Sequence, residues 1–281
     1  MNDTRLRLAL KTATEAAEAA GALMRRNLTS TKKVNEEIQY DIKLELDVRC
    51  QKLIEKTVLQ TFPESCVFGE EGVKGDESAD YQWIVDPIDG TVNFAYEIPF
   101  CCVSIALQQR RKRLAPKTQP PRDFETILGL IYNPFSQELW TAIRGKPAML
   151  NGKKIQVSPR KQMNKAIIAT GFSKFEATMA KLMPVFKELN QSARKVRMMG
   201  SAALHLAYVA CGRFDAYLEY GVRHWDIAAG GFIIEQAGGE YWRREIGPEA
   251  DPNLHGGFLL IANNGHFRKP ILNMFPSDPL K

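Results

Sequence analysis

Long apolar runs are missing from this 281-residue sequence. No stretch is long enough to span a bilayer, and the alanine-rich start, MNDTRLRLALKTATEAAEAAGALMRRNL, is broken by charges every few residues. Neither a membrane anchor nor a secretory leader is expected. Paired cysteines are missing too. Cys50, Cys66, Cys101, Cys102 and Cys211 form an odd count with no C-x-x-C spacing and mostly apolar neighbours. They read as buried thiols in a reducing compartment, which makes the cytoplasm the expected location. There is no internal repeat and no single long block of basic residues. The net charge of +6 suits a protein that meets anions, phosphorylated metabolites at least as readily as nucleic acid. With 44% hydrophobic and 25% charged residues, disorder is excluded and a real core is available for one large domain or two tightly joined lobes.

What is present is a mixed order of helix and strand signals. Leu6, Leu10, Ala13, Ala17, Ala20 and Met24 recur at helical spacing behind a polar start at Asn2 to Thr4, so a helix is expected over about 4–28. A second, over about 47–61, stops before Pro63. Strands are expected at 66–69, 81–86, 101–107, 126–133 and 137–143, with turns at Asn133-Pro134 and Asn151-Gly152. The second half reads strand 166–170, helix 174–190, helix 201–211, strand 214–220, helix 226–238 and strand 257–263. Two lobes, 1–150 and 151–281, each a sheet flanked by helices, account for this order, with a Gly-, Pro- and Lys-rich linker near 145–160. The segment 109–125, QRRKRLAPKTQPPRDFE, is basic, proline-rich and aperiodic, and reads as a long surface loop between two strands.

In WIVDPIDGTVNF (83–94), Asp86 and Asp89 stand three apart around Pro87, where an apolar strand is expected to stop. A carboxylate at the C-terminal end of a strand sits where ligand crevices form, and a glycine such as Gly90 lets backbone N–H groups approach an anion. Two hard oxygen donors beside an anion cradle describe a magnesium site that also holds phosphate. Taken alone, the same residues equally describe a tight turn. Further acids occur in GEE (69–71), in WDIAAG (225–230) and at Asp47. In isolation GEE is a solvated pair and Asp226 a helix N-cap. Asp41, Lys43, Glu45 and Asp47 alternate as on one strand face.

Together and in this order, GEE, DPIDGT and WDIAAG resemble the inositol monophosphatase family, within the fructose-bisphosphatase-like superfamily of lithium-sensitive, magnesium-dependent phosphatases. The resemblance covers nearly the whole chain. It implies an α/β fold layered as an α/β/α/β/α sandwich, a homodimer and two or three Mg2+ ions. It further implies that Glu70, Asp86 and the carbonyl of Ile88 bind one ion, that Asp86, Asp89 and Asp226 bind a second, and that Glu70 helps to hold a third. Thr91 and Asp47 would orient and deprotonate the attacking water, and Gly90 and Thr91 would offer backbone N–H groups to the phosphate. Asp89, Gly200, Ser201, Ala202, Glu219 and Asp226 would face the substrate. The implied reaction is hydrolysis of a small phosphate monoester, foremost inositol 1-phosphate to myo-inositol and phosphate, by direct attack of a metal-activated water.

The chain departs from the family in places. The family's KS-x-x-D lysine is replaced by Glu36 and Glu37 ahead of Asp41, and the threonine of D-x-x-T-x-x-D is Leu44; Lys43 is a candidate to restore the lost charge. The 109–125 segment is longer than the family's usual connection and reads as a solvated insertion, with a nucleic-acid or protein contact as the alternative. Histidinol phosphate, nucleotide 3′-phosphates and fructose bisphosphate are alternative substrates, and a regulatory binding role on the same scaffold is the alternative of another class. A haloacid-dehalogenase-type phosphatase is disfavoured, because its two acids stand two apart and these stand three apart.

Overall fold

In the computed structural model, residues 1–32, 34–38, 41–111, 124–172, 176–246 and 257–276 are described. Helix α1 (Asp3–Asn27) starts where Asn2 Oδ1 accepts the Arg5 N–H at 2.9 Å, which satisfies one orphan donor of the helix end. The antiparallel pair β1 (Val34–Ile38) and β2 (Asp41–Leu44) leads into α2 (Glu45–Thr61). Then follow β3 (Cys66–Gly69), β4 (Gly72–Gly75), β5 (Tyr81–Asp89), α3 (Thr91–Ala95), β6 (Cys102–Arg110), β7 (Phe124–Asn133), β8 (Glu138–Ile143), β9 (Met149–Leu150) and β10 (Lys153–Lys154). The second half holds β11 (Ile167–Phe172), α4 (Glu176–Ser192), β12 (Lys195–Arg197), α5 (Ala202–Ala210), β13 (Ala216–Val222), α6 (His224–Gln236), β14 (Glu240–Glu245), β15 (Phe258–Asn263) and α7 (Arg268–Leu272).

Two main sheets organise these elements. One has eight strands in the order β10-β9-β8-β7-β6-β5-β3-β4, and the other has five in the order β12-β11-β13-β15-β14. Alternation along each strand divides the core. In β5, Trp83 and Val85 face α1 and α2, where Ala13, Ala17, Met24, Cys50 and Ile54 cover them, while Ile84 faces the opposite way, into the cluster of α5 and α6. In the five-stranded sheet, Ala169, Tyr217 and Leu260 share that middle cluster, whereas Ile168, Leu218 and Ile261 pack against Leu182 and Val185 of α4 and Ile271 of α7. The layers therefore run helix, sheet, helix, sheet, helix, as the resemblance implies. Among the described residues no helix is long and apolar enough to cross a membrane. The five cysteines are free, four of them buried and Cys211 half-buried.

Three local expectations are corrected. First, β2 ends at Leu44, so Glu45 and Asp47 share no strand face with Asp41 and Lys43. Asp47 lies in the first turn of α2, where its Oδ2 accepts the Leu44 N–H at 2.9 Å; a helix end with free N–H groups is a better place for that carboxylate than a strand. Second, Asp226 is not the N-cap of α6. It is the third helical residue, and its Oδ2 accepts the N–H of the capping residue Arg223 at 2.7 Å. Third, β5 does not stop at Asp86 but continues through Pro87 to Asp89. The segment 145–160 carries the β9–β10 hairpin at one edge of the large sheet.

The middle helical layer sits directly on the large sheet. A Cβ placed at Gly129 of β7 would stand 2.7 Å from the Ala229 carbonyl oxygen and 3.2 Å from Ile233 Cγ1, both in α6. Gly129→Ala should therefore push α6 off β7 and cost about 1–3 kcal/mol, the usual range for overpacking. Thermal unfolding followed by circular dichroism should show a midpoint lower by a few degrees; an unchanged midpoint would refute the tight seating of α6.

Candidate active site

The site begins with a bulge. Asp86 pairs with Ser104 and Asp89 with Cys102, so three steps along β5 oppose two along β6. Pro87 has no N–H to lose from the ladder, which suits it to the extra position. The bulge turns both aspartates out of the strict alternation of the strand, and Asp86 Oδ1 accepts the Ile88 N–H at 3.0 Å. The chain then turns at Gly90, whose φ of 93° favours glycine. Thr91 follows; its Oγ1 donates to the Ile88 carbonyl at 2.9 Å and lies 3.3 Å from Asp47 Oδ1.

Other elements bring the remaining acids. Asp89 reaches the start of α5, where it accepts the Ser201 hydroxyl, the Ala202 N–H at 3.2 Å and the Ala203 N–H at 2.8 Å. Glu70 follows β3 directly, and the turn after it is held by Gln51 of α2, whose Oε1 accepts the Glu71 N–H at 2.9 Å. Gly69 leaves room for the Gln51 amide, which a Cβ there would displace. From the far wall comes Glu219 of β13, whose carboxylate accepts the Tyr217 hydroxyl. A Cβ at Gly171 of the neighbouring β11 would collide with that carboxylate.

Glu70, Asp86, Ile88, Asp89, Gly90, Thr91, Gly200, Ser201, Ala202, Glu219 and Asp226 thus line one cavity of about 560 Å³. Asp47 stands behind Thr91, 1% exposed. Every site residue expected from the sequence is brought to this place. The side chains of Glu36, Glu37 and Lys43, and residues 112–123, lie outside the described residues. Sequence reasoning missed Gln51 and Asn93. Asn93 Nδ2 donates to the Phe100 carbonyl at 2.8 Å and the Met199 carbonyl at 2.7 Å, tying the two rims of the cavity together. Its place three residues after Gly90 in DPIDGTVNF was a signal that could have found it.

Electrostatically the cavity is one-sided. Among the described residues, no lysine or arginine lines it, and burial pushes the lining histidine, His205, down to about 3. Burial drives the Asp86 carboxyl upward, and Glu70, Asp89 and Asp226 add to the effect. Asp226 is raised by burial and by Asp89. Asp89 is raised by burial against the opposing hydrogen bonds from Ser201, Ala203 and Ala202. Asp47 is pushed up to about 7, with burial outweighing the Leu44 N–H. Glu219 also rises to about 7, with burial outweighing the Tyr217 hydrogen bond. Clustered hard oxygen donors with no cationic side chain fit a divalent cation. Among the described residues, no three acidic, histidine or cysteine side chains close on a single ion as they stand. Asp89 gives its oxygens to α5, and Asp86 and Asp226 each accept a backbone N–H.

The profile of the inositol monophosphatase family matches residues 6–269. The chain belongs to that family. It is 38% identical over 271 residues to inositol monophosphatase 2 of Solanum lycopersicum, covering 93% of this chain and 95% of that one. It is 37% identical over 256 residues to the Nus factor SuhB of Xylella fastidiosa, covering 89% and 88%. The solved structure of the extragenic suppressor protein suhB from Bartonella henselae matches with a TM-score of 0.82 at 30% identity, over 95% of this chain and 98% of that one. For this inositol monophosphatase family member, the cavity's charge makes a test without any substrate. A buried carboxyl with a raised folded value costs stability as pH climbs from the ordinary carboxylate range to that value, so the Glu219 penalty grows between its usual 4.5 and about 7. In chelator, Glu219→Gln should melt a few degrees above wild type at pH 7.5, and the gap should close toward pH 5. A gap that widens as pH falls would contradict the assignment.

Proposed function

We propose that the chain is a magnesium-dependent phosphomonoesterase acting on a small phosphate monoester, foremost inositol 1-phosphate, to give myo-inositol and phosphate. The observation that supports this most is Glu70, Asp86, Asp89 and Asp226 sharing a cavity that, among the described residues, no lysine or arginine lines, beside Gly90 and Thr91. In this reading Glu70, Asp86, the Ile88 carbonyl, Asp89 and Asp226 hold two or three Mg2+ ions. Magnesium, when bound, supplies positive charge that eases the deprotonation of water and offsets charge on the phosphoryl oxygens. Gly90 and Thr91 give the phosphate their backbone N–H groups. Thr91 orients the attacking water, and its hydroxyl proton passes to Asp47 Oδ1, 3.3 Å away, as it takes one from the water. Asp47, at about 7, is a base matched to neutral pH. Gly200, Ser201 and Ala202 flank the alcohol, and Glu219 accepts its hydroxyl groups.

Histidinol phosphate, a nucleotide 3′-phosphate or fructose bisphosphate would use the same metal-binding wall with different contacts opposite. The homodimer is carried over from the family resemblance, and a light-scattering mass of one chain would exclude it. A cytoplasmic location suits the five free thiols. The similarity to relatives called Nus factor SuhB favours a second reading, a regulatory contact with nucleic acid or protein through the basic 109–125 segment. Failure of the intact chain to retain RNA on a filter would remove the nucleic-acid form of that reading.

The deciding experiment is phosphate release from inositol 1-phosphate, histidinol phosphate, fructose 1,6-bisphosphate and adenosine 3′,5′-bisphosphate, with and without magnesium and lithium. Preference for inositol 1-phosphate, lost in chelator and inhibited by lithium, is expected. Asp89→Asn keeps the volume and removes a charge, so it should lower turnover at least about a hundredfold, the scale on which single groups contribute to catalysis, without loss of fold. Near-normal rates in that variant would sink the assignment.

A further inference from the structure

Helix α6 starts one residue after β13, so the place of Asp226 depends on how the first turn of α6 is held. Two ties reach that turn from β6. Ser104, the cross-strand partner of Asp86, donates from Oγ to the Trp225 carbonyl at 3.4 Å. Four residues along the same strand, Gln108 Oε1 lies 3.4 Å from His224 Nε2, while His224 Nδ1 lies 3.0 Å from Arg243 Nη1. A guanidinium only donates, so Nδ1 accepts, and the imidazole proton sits on Nε2 and is donated to Gln108.

Both partners are themselves fixed. Gln108 is 4% exposed; its Oε1 accepts Gln82 Nε2 at 2.8 Å, and its Nε2 donates to Thr126 Oγ1 at 3.0 Å. The Arg243 guanidinium lies 4.8 Å from the Phe258 ring centre and 5.7 Å from that of Tyr241. His224 does not line the carboxylate cavity; it borders a separate one of about 420 Å³ on another side of α6.

We propose that His224 is a positioning residue for Asp226: locked between Arg243 and Gln108, it sets the first turn of α6 in register with β6, the strand that also fixes Asp86 and Asp89. The proposal rests on the metal-site reading above. Without the imidazole, the first turn of α6 keeps the long Ser104 bond and the packing of α6 on β7 but loses its tie to Gln108, so Asp226 is held less closely in place beside Asp86. Because His224 does not line the cavity, the loss falls on cation affinity rather than on turnover at saturating cation.

The test is isothermal titration of magnesium alone into wild type, His224→Ala and His224→Gln, with thermal midpoints in chelator. His224→Ala should bind magnesium about tenfold more weakly, the low end of what groups behind metal ligands cost. The magnesium needed for half-maximal phosphate release should rise in step, with kcat at saturation little changed. His224→Gln, whose amide accepts from Arg243 and donates to Gln108, should recover most of the affinity. Wild-type affinity in His224→Ala would overturn the proposal, and so would equal weakening in both variants with a large drop in thermal midpoint. Wild-type protein that takes up no magnesium would sink the metal site itself and the proposal with it.

Discussion

The Asp89 carboxylate, buried between β5 and the start of α5, is the contact on which the site's geometry depends. A buried charge must be hydrogen-bonded, and a buried helix start must find acceptors for its first N–H groups. Here each need meets the other, since Asp89 accepts from Ser201, Ala202 and Ala203. The bond joins the large sheet to the middle helical layer, and it fixes where the chain must turn at Gly200, with a φ of 80°. It also turns the central carboxylate of the acid group toward the helix.

The same device recurs. Asp47 and Asp226 each sit in the first turn of a helix and accept the N–H of its capping residue. Three of the acids are thus placed by helix starts, where the dipole favours negative charge by about 0.3–1 kcal/mol per group. Burial is the larger effect, joined by the neighbouring acids at Asp226 and Asp47, because all three carboxyls remain raised. The helices position the charges without neutralising them. What is left over is available to a cation, whose binding to the folded state alone adds to stability by mass action.

Much of this was legible in the sequence. The long helices and most strands follow from apolar period, and the acid motifs mark the site because their spacing carries chemistry. Other features lie beyond local pattern. Helices α3 and α7 have five residues each and strand β12 three, too few to show a period, and β14 carries Arg243, Arg244 and Glu245 among its six residues. The bulge at Pro87 looks like a strand end because a proline usually is one, and only its pairing with β6 shows that the strand continues. Gln51 and His224 act through partners 20 and 116 residues away, a distance that no spacing rule spans.

Substrate choice cannot come from the acid wall. A cation wall that grips phosphoryl oxygens binds the phosphate of any ester alike, so interactions there raise reactivity without telling one alcohol from another. Discrimination has to come from groups opposite, which either match the alcohol's hydroxyls or are left unpaired by an alcohol that lacks them. Glu219 is the acid on that side, and its direction is set by its neighbours: Gly171 on β11 leaves the space it occupies, and the hydroxyl of Tyr217, two residues earlier on β13, donates to it. In the proposed reading, two adjacent parallel strands aim the selecting carboxylate, while β5, β6 and the starts of α5 and α6 aim the reactive ones. Asp86 and Asp89 stand on the large sheet and Glu219 on the five-stranded one, so a change of side chain at 219 leaves the bulge and the turn at Gly90 as they are.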